Sequence, residues 1–508
     1  MKKIVFLIAF TFYCYTLIAQ ESKLPVFVTD SLENYITRGM TKWEIPGLSV
    51  AIVKDGKVVF MKGFGLTRVG STEPVNENTL FMIGSNTKTF TATAIAILQA
   101  EGKLSLDDKV QKWMPEFKLK DPLVTKEVSI SDLLSNRIGF ESLQGDFTFW
   151  NSNLSRAEII QKMGLMDAPY GFRTKLGYCN AAFLTAGEII SIITGKSWEE
   201  TVKEKILIPL KMNRTLMLSE DFKTASNKAT AYTLIDNKRS EIPIMYLDNL
   251  APAASMSSSA GDMAIWLLAH LNNGKIDNIQ VISNKALLAI RRPYTIVGMD
   301  TRNKQLTHFS LYGLGLFIRD RNGKLVYSHG GGVPGFASSW MFVPEENLGI
   351  VVLTNTDYNL FSDNLQNEIM DAFLDLPYQG YSDKSIKMLS QYKTMTKTNI
   401  DSLKNVVKLN NKQSFPLEAY TGKYVNEVYG EIEIKLVNGK INIYFSHHPN
   451  LIGKLEHLKN DNYLCTFSNP LYGIIEIPYK IDNGKVTELT VRLPSIVEFT
   501  PYIFIKKN

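Results

Sequence analysis

The order of apolar and polar positions divides the chain into three textures. Residues 47–69, GLSVAIVKDGKVVFMKGFGLTRV, carry two β-branched, apolar runs around Asp55-Gly56 and predict a β-hairpin closed by a two-residue turn. The next stretch, GSNTKTFTATAIAILQAEGKL, has small and apolar residues on every side and a glycine stop at Gly102, which predicts a buried helix. Residues 105–290 read as helix-rich and irregular. Strand signals return at Ala337–Val343 and Leu348–Thr354, either side of a Pro-Glu-Glu-Asn turn. Strands that open and close a region with a helical middle predict an α+β fold: an antiparallel sheet built from both ends, flanked by helices, with an all-helical subdomain.

The pattern changes near residue 376. Residues 378–413 are polar, rich in Lys and Asn, with a weak helical period, and read as a partly helical linker. From Leu417 onward, alternating strands are separated by Asn438-Gly439 and Asn483-Gly484, two strong hairpin signals. This predicts a small all-β C-terminal domain, a barrel or a curled sheet. At the other end, Lys2 and Lys3 precede an apolar run from Ile4 to Ile18, and Ala19 offers a small residue for cleavage. The run is short for a membrane span, so a cleaved signal peptide is expected, which implies a secreted or periplasmic protein. The expected division is a signal peptide at 1–19, a main domain at 20–377, a linker at 378–413 and a β-barrel-like domain at 414–508.

Composition narrows the function classes. The chain has 508 residues, 45% of them hydrophobic, enough for more than one packed core. The formal charge is +6, and +4 after loss of Lys2 and Lys3, but no basic block is interleaved with aromatics, so no nucleic-acid partner is expected. No stretch after the signal is long and apolar enough for a transmembrane helix. Of Cys14, Cys179 and Cys465, two survive cleavage and fall in different predicted domains, which argues against a disulfide framework. No CxxC or HExxH spacing occurs. His447-His448, the one histidine pair, precedes Pro449 and reads as a surface turn, so neither metal nor cofactor is expected.

Three short motifs carry candidate chemistry. Ser85 and Lys88 are spaced to share a helix face one turn apart. A lysine buried there would have its pKa lowered and could take the serine proton. The pair alone does not separate a nucleophile with its base from an N-cap serine beside a solvated lysine. A second SxxK spacing, Ser390 and Lys393, sits in the linker where nothing suggests catalysis. Tyr178 and Asn180, in GYCNAAF, could supply a second base and an amide for a substrate, or form a cap pair. His329 is followed by Gly330, Gly331 and Gly332, residues without Cβ that let a backbone N–H approach a ligand, or that form a turn between strands.

In that order, SxxK, YxN and HGG resemble the serine β-lactamase and penicillin-binding protein superfamily, in its class C β-lactamase-like branch. SISDLLSNRIGFES (129–142) and PAASMSSSAGDMAIW (252–266) are similar to further family segments, and the likeness covers about residues 28–375. The resemblance implies a serine hydrolase with Ser85 as the acylated nucleophile. It implies that Lys88 and Tyr178 share acid–base work and that Asn180 orients a substrate amide. His329 then holds the third-motif position, with Gly330, Gly331 and Gly332 beside it on the substrate and oxyanion side. A histidine where relatives often carry a lysine is mostly neutral at pH 7. That points away from efficient β-lactam hydrolysis, towards an esterase, a D-aminopeptidase or a D-Ala carboxypeptidase-like activity on small-molecule or short-peptide substrates. The alternative is a non-catalytic penicillin-binding or sensor protein on the same fold. The C-terminal strands resemble the lipocalin-like domain that follows several such hydrolases. That likeness implies control of access to the cleft, or assembly of a homo-oligomer through this domain.

Overall fold

The computed structural model describes residues 23–235, 238–298, 306–357 and 359–507. The expected signal peptide lies outside the described residues. An eight-stranded antiparallel sheet forms the frame of the main domain. Its strands are β1 (Gly47–Lys54), β2 (Lys57–Gly65), β3 (Thr295–Gly298), β4 (Ser310–Tyr312), β5 (Phe317–Arg321), β6 (Lys324–Val333), β7 (Phe336–Val343) and β8 (Leu348–Thr354). The spatial order is β2-β1-β8-β7-β6-β5-β4-β3, so the first hairpin pairs with the last strand, from Leu48↔Thr354 to Lys54↔Leu348. The predicted turn at Asp55-Gly56 closes β1 and β2 with positive φ at both residues, the geometry that favours Asp-Gly there.

Both faces of this sheet are covered, so β1 and β8 are apolar almost throughout. Leu48, Val50, Ile52, Ile350 and Val352 pack against helix α1 (Leu32–Trp43) and the later helix Phe361–Phe373. Ala51, Val53, Val351, Leu353 and Trp340 face the opposite way, into the large core shared with helix α2 (Thr87–Ala100) and the helical region. This alternation follows from the two-residue period of a strand. Helix α2 is buried over twelve of its fourteen residues, as its all-round apolar sequence predicts.

Residues 381–408, within the expected linker, form one continuous 28-residue helix, Tyr381–Lys408. No glycine or proline interrupts it, and it packs on the Phe361–Phe373 helix at one end and on strands of the C-terminal domain at the other. That domain is a closed eight-stranded antiparallel barrel, from Gly422–Asn426 to Tyr502–Lys506. Asn438-Gly439 and Asn483-Gly484 close hairpins in the positive-φ conformation their sequences favour. The barrel interior is filled by side chains, among them Tyr424, Ile432, Ile443, Tyr463, Ile477 and Phe504. Among the described residues, no helix is long and apolar enough to cross a membrane.

Candidate active site

One short two-stranded ribbon brings distant segments to the start of α2. Phe81–Met82 pairs with Ser257–Ser258, which ties the chain before Ser85 to the segment after Ala253. The chain then turns through Gly84 at φ +52 into a 3-10 turn, Gly84–Asn86, that runs directly into α2. A Cβ on Gly84 would stand 3.0 Å from the Gly332 nitrogen, so the glycine allows β6 to lie against the turn that carries Ser85. Gly331 is under a harder constraint: a Cβ there would lie 1.9 Å from the Ile83 carbonyl oxygen. Ser338 on β7 stitches the same contact, with its Oγ 3.0 Å from Ile83 O, 3.2 Å from Gly331 O and accepting from Asn86 Nδ2 at 2.8 Å.

Lys88, one helical turn after Ser85, is fully buried. Its Nζ lies 2.6 Å from Asn180 Oδ1, 2.9 Å from Ala253 O and 3.1 Å from Ser85 Oγ. The first two partners can only accept, so they take two N–H groups whatever the charge on the amine. The third position faces the serine hydroxyl. On a neutral amine that position is a lone pair, aimed at the Ser85 proton. Burial lowers the Lys88 pKa to about 7 against the opposing pull of Asp146 and Cys179.

Tyr178 and Asn180 arrive on the segment that enters helix Asn180–Thr194. The Tyr178 ring centroid is 4.6 Å from Lys88 Nζ. Among the described residues its buried hydroxyl makes no hydrogen bond of good geometry, Ser85 being its nearest polar neighbour; burial pushes its pKa far above the ordinary phenol value, with Ser85 opposing the rise. Asn180, expected to orient a substrate amide, makes its hydrogen bonds to Lys88 and Asp146. It is 1% exposed, its Oδ1 holds Lys88, and its Nδ2 donates to both carboxylate oxygens of Asp146 at 3.0 and 2.8 Å. Asp146 is buried beneath the site and burial raises its pKa well above the usual carboxylate range, with Glu498 adding to the rise and Asn180 and Lys88 opposing it. Sequence patterns do not single out Asp146 or the Ala253 carbonyl. The one signal for Asp146 is a lone acid in the apolar run GDFTFW.

His329 on β6 is 3% exposed and stands 6.1 Å, ring to ring, from Tyr178. Its Nδ1 is 2.6 Å from the Gly330 carbonyl, which can only accept, so Nδ1 carries the proton. Nε2 then accepts from the Tyr312 hydroxyl at 3.3 Å. Burial and the nearby Lys88 lower the His329 pKa to about 3, so the ring is neutral. A Cβ on Gly332 would meet nothing within 4 Å, which leaves open space over that backbone. Cys179 is a buried free thiol whose pKa burial pushes up to about 12, as befits a packing residue. His447 and His448, expected in a surface turn, lie between the domains: His448 is buried, with Nε2 2.9 Å from Trp150 O, and His447 Nδ1 is 3.0 Å from Asn153 Oδ1. Among the described residues no group of His, Cys, Asp and Glu is placed to hold a metal ion.

This arrangement has relatives. The sequence profile of the beta-lactamase family matches residues 32–374. The chain belongs to the beta-lactamase family. Residues 408–503 match a domain of unknown function, DUF3471. Unguisins hydrolase ungD' of Aspergillus campestris is 27% identical over 427 residues, covering 78% of this chain and 76% of that protein. Protein flp of Staphylococcus aureus strain MW2 is 28% identical over 330 residues, and the match covers 64% of this chain and 62% of the relative. Among solved structures, an octameric penicillin-binding protein homologue from Pyrococcus abyssi superposes with a TM-score of 0.61 at 24% identity, over 94% of this chain and 99% of that one. A class C beta-lactamase mutant superposes with a TM-score of 0.56 at 22% identity, over 68% and 97%. A D-stereospecific amidohydrolase from Streptomyces sp. does so with 0.53 at 21%, over 66% and 97%. These likenesses establish a β-lactamase and transpeptidase fold in a family that includes hydrolases.

Proposed function

We propose that the protein is a serine hydrolase that forms an acyl-enzyme at Ser85 on an ester or amide substrate. The observation that carries this reading is the Lys88 amine: buried, lowered to about 7, with two of its three positions held by pure acceptors and the third on Ser85 Oγ at 3.1 Å. As Ser85 Oγ bonds to the substrate carbonyl carbon, its proton passes to Lys88. Tyr178, kept as a neutral phenol, gives its proton to the departing oxygen or nitrogen as the scissile bond breaks, and is reprotonated from Lys88. Water then attacks the acyl carbon by the same proton path in reverse, which returns Ser85. The N–H groups of Ser85 and Gly332 are assigned to the developing oxyanion, because Gly332 lies against the Ser85 turn and its outer side is open.

The neutral His329 bears on the substrate class. It offers no fixed positive charge to a substrate carboxylate. The favoured substrates are therefore esters and amides with no anionic group beside the reacting carbonyl, rather than β-lactams or peptides with a free C-terminal carboxylate. The Streptomyces relative is a D-stereospecific amidohydrolase, which is in keeping with an amide substrate. The purified chain is tested on p-nitrophenyl esters, D- and L-aminoacyl amides, free and amidated D-Ala-D-Ala peptides and a chromogenic β-lactam. The reading expects ester or amide turnover that Ser85→Ala abolishes. Turnover undiminished in Ser85→Ala overturns it, and no turnover by the wild type on any member of the panel favours a binding or sensor protein.

A further inference from the structure

The residues around Asp146 belong to two domains at once. Asp146–Phe149 is a single four-residue helical turn. Asp146, at its start, faces the Lys88 site through Asn180. Phe147, the next residue, leaves the main domain and joins the core of the C-terminal barrel. Its ring stacks on Tyr429 and His448, both at 5.2 Å, and meets Tyr472 and Tyr502 edge-on. Thr148 follows with a hydrogen bond to the Tyr502 hydroxyl at 3.1 Å.

Glu498 closes the arrangement from the barrel side. It lies between the last two barrel strands and is 1% exposed. Its Oε1 accepts the Gly145 N–H at 2.8 Å, and its Oε2 accepts the Phe147 N–H at 3.1 Å and the Tyr502 hydroxyl at 2.7 Å. One carboxylate thus holds the backbone on both sides of Asp146. Hydrogen bonds, joined by the covalent backbone at Asp146, connect it to the site: Glu498 to the Gly145 and Phe147 amides, Asp146 to Asn180, Asn180 to Lys88, and Lys88 to Ser85.

We propose that the C-terminal barrel is a working part of the catalytic site, with Glu498 as a positioning residue that fixes the Asp146 turn and, through Asp146 and Asn180, the place of Lys88. This rests on the reading of Ser85 and Lys88 given above. An ordinary docking contact needs no buried carboxylate, since apolar packing around Phe147 would hold the domains together without the desolvation cost of Glu498. The geometry shows what that carboxylate does instead, since it immobilises the two residues flanking Asp146. The charge it adds also matters. Among the described residues Glu498 and Lys88 are charged groups that act on Asp146, in opposite directions, and Asp146 acts in turn on Tyr178, Cys179 and Tyr502. Removing the Glu498 charge lets Asp146 ionise more readily, which holds the proton on Lys88 to higher pH.

The test uses the full chain with Glu498→Gln, Glu498→Ala and Ser85→Ala, and a p-nitrophenyl ester as the probe. Steady-state rates are recorded from pH 5 to 10, beside near-UV circular dichroism for the barrel tyrosines. The proposal expects kcat for Glu498→Gln to fall about ten- to a hundredfold with KM within about twofold, as displacement of a catalytic group does. It also expects the limb of the pH profile assigned to Lys88 to move up by about half a unit or more. Glu498→Gln preserves size and two of the hydrogen-bonding positions, so it decides the question if Glu498→Ala fails to fold. Wild-type kcat and an unmoved limb in Glu498→Gln, with or without a fall in Tm, overturn the proposal while Ser85→Ala is inactive. Activity retained in Ser85→Ala overturns the underlying reading instead, so the two failures are distinct.

Discussion

Replacing Lys88 by methionine removes the amine while keeping the length and apolar bulk of the side chain. The cost to the fold follows from two opposing terms. Lys88 falls from its ordinary value of 10.5 to about 7 on burial, which corresponds to about 5 kcal/mol at about 1.4 kcal/mol per pH unit. The sign follows from the protons bound: between pH 7 and 10.5 the unfolded chain keeps a proton that the native lysine has lost. Stability therefore rises with pH across that window, and the full penalty is present at pH 7 and below. Methionine removes this penalty. Against it, Asn180 Oδ1 and the Ala253 carbonyl lose their donor, at about 1–3 kcal/mol each. The expected result at pH 7 lies between about 1 kcal/mol less and about 3 kcal/mol more stable than the wild type. Burial raises the Asp146 pKa, and loss of the Lys88 charge removes one influence that opposes that rise, so the neutral carboxyl is favoured in the variant. Catalysis should fall by about 10²–10⁴ in kcat/KM, the usual contribution of a general base. Urea unfolding followed by tyrosine and tryptophan fluorescence reads the first quantity, and p-nitrophenyl ester hydrolysis at about pH 8, above the Lys88 value, reads the second. A variant that keeps wild-type turnover, or one that loses well over about 3 kcal/mol of stability, refutes the claim that Lys88 is held at a cost for its chemistry.

Other outcomes follow from individual residues. kcat/KM should rise as pH passes about 7, where Lys88 loses its proton, and His329→Asn should leave that limb in place because His329 does not titrate above about 3. Gly331→Ala forces a Cβ to within 1.9 Å of Ile83 O, so ester turnover should fall and Tm should drop by the equivalent of about 1–3 kcal/mol; Gly332→Ala meets open space and should fold with wild-type Tm. Phe147→Ala empties a position inside the barrel core and should cost about 3–5 kcal/mol by denaturant unfolding. Burial raises Glu498 from 4.5 to about 7 despite three hydrogen bonds that favour its ionised form. The native state therefore keeps a proton that the unfolded chain loses, and the stability present below pH 4.5 declines by about 3 kcal/mol as pH rises to 7; unfolding midpoints of Glu498→Gln should lack that decline.

What is legible in the sequence is what local rules control. Asp55-Gly56, Asn438-Gly439 and Asn483-Gly484 each determine a turn within two residues, so their hairpins can be read directly. Ser85 and Lys88 share a face through helical spacing alone. The remainder depends on contacts between segments far apart in the chain. Nothing local to Asn180 reveals that Asp146, 34 residues earlier, takes both of its amide hydrogen bonds. His447-His448 beside Pro449 looks like a surface turn until Phe147 from the other domain stacks on it. The polarity of segment 378–413 suggests a partly helical linker. A 28-residue helix with one buried residue forms there because its apolar positions, such as Ile386 and Leu389, meet the sheet-covering core. The burial of Glu498 within a C-terminal stretch of alternating strands has no sequence signature at all.

The central claim is that Ser85 is the residue that carries the acyl group. Its most direct test is mass spectrometry of the full chain after brief exposure to a fluorophosphonate or a slowly hydrolysed ester, with peptide mapping of the adduct. A single adduct on the peptide that contains Ser85, present in the wild type, absent in Ser85→Ala and slowed in Lys88→Met, is the predicted result. An adduct on Ser390 or elsewhere, or equal labelling of Ser85→Ala, would contradict it.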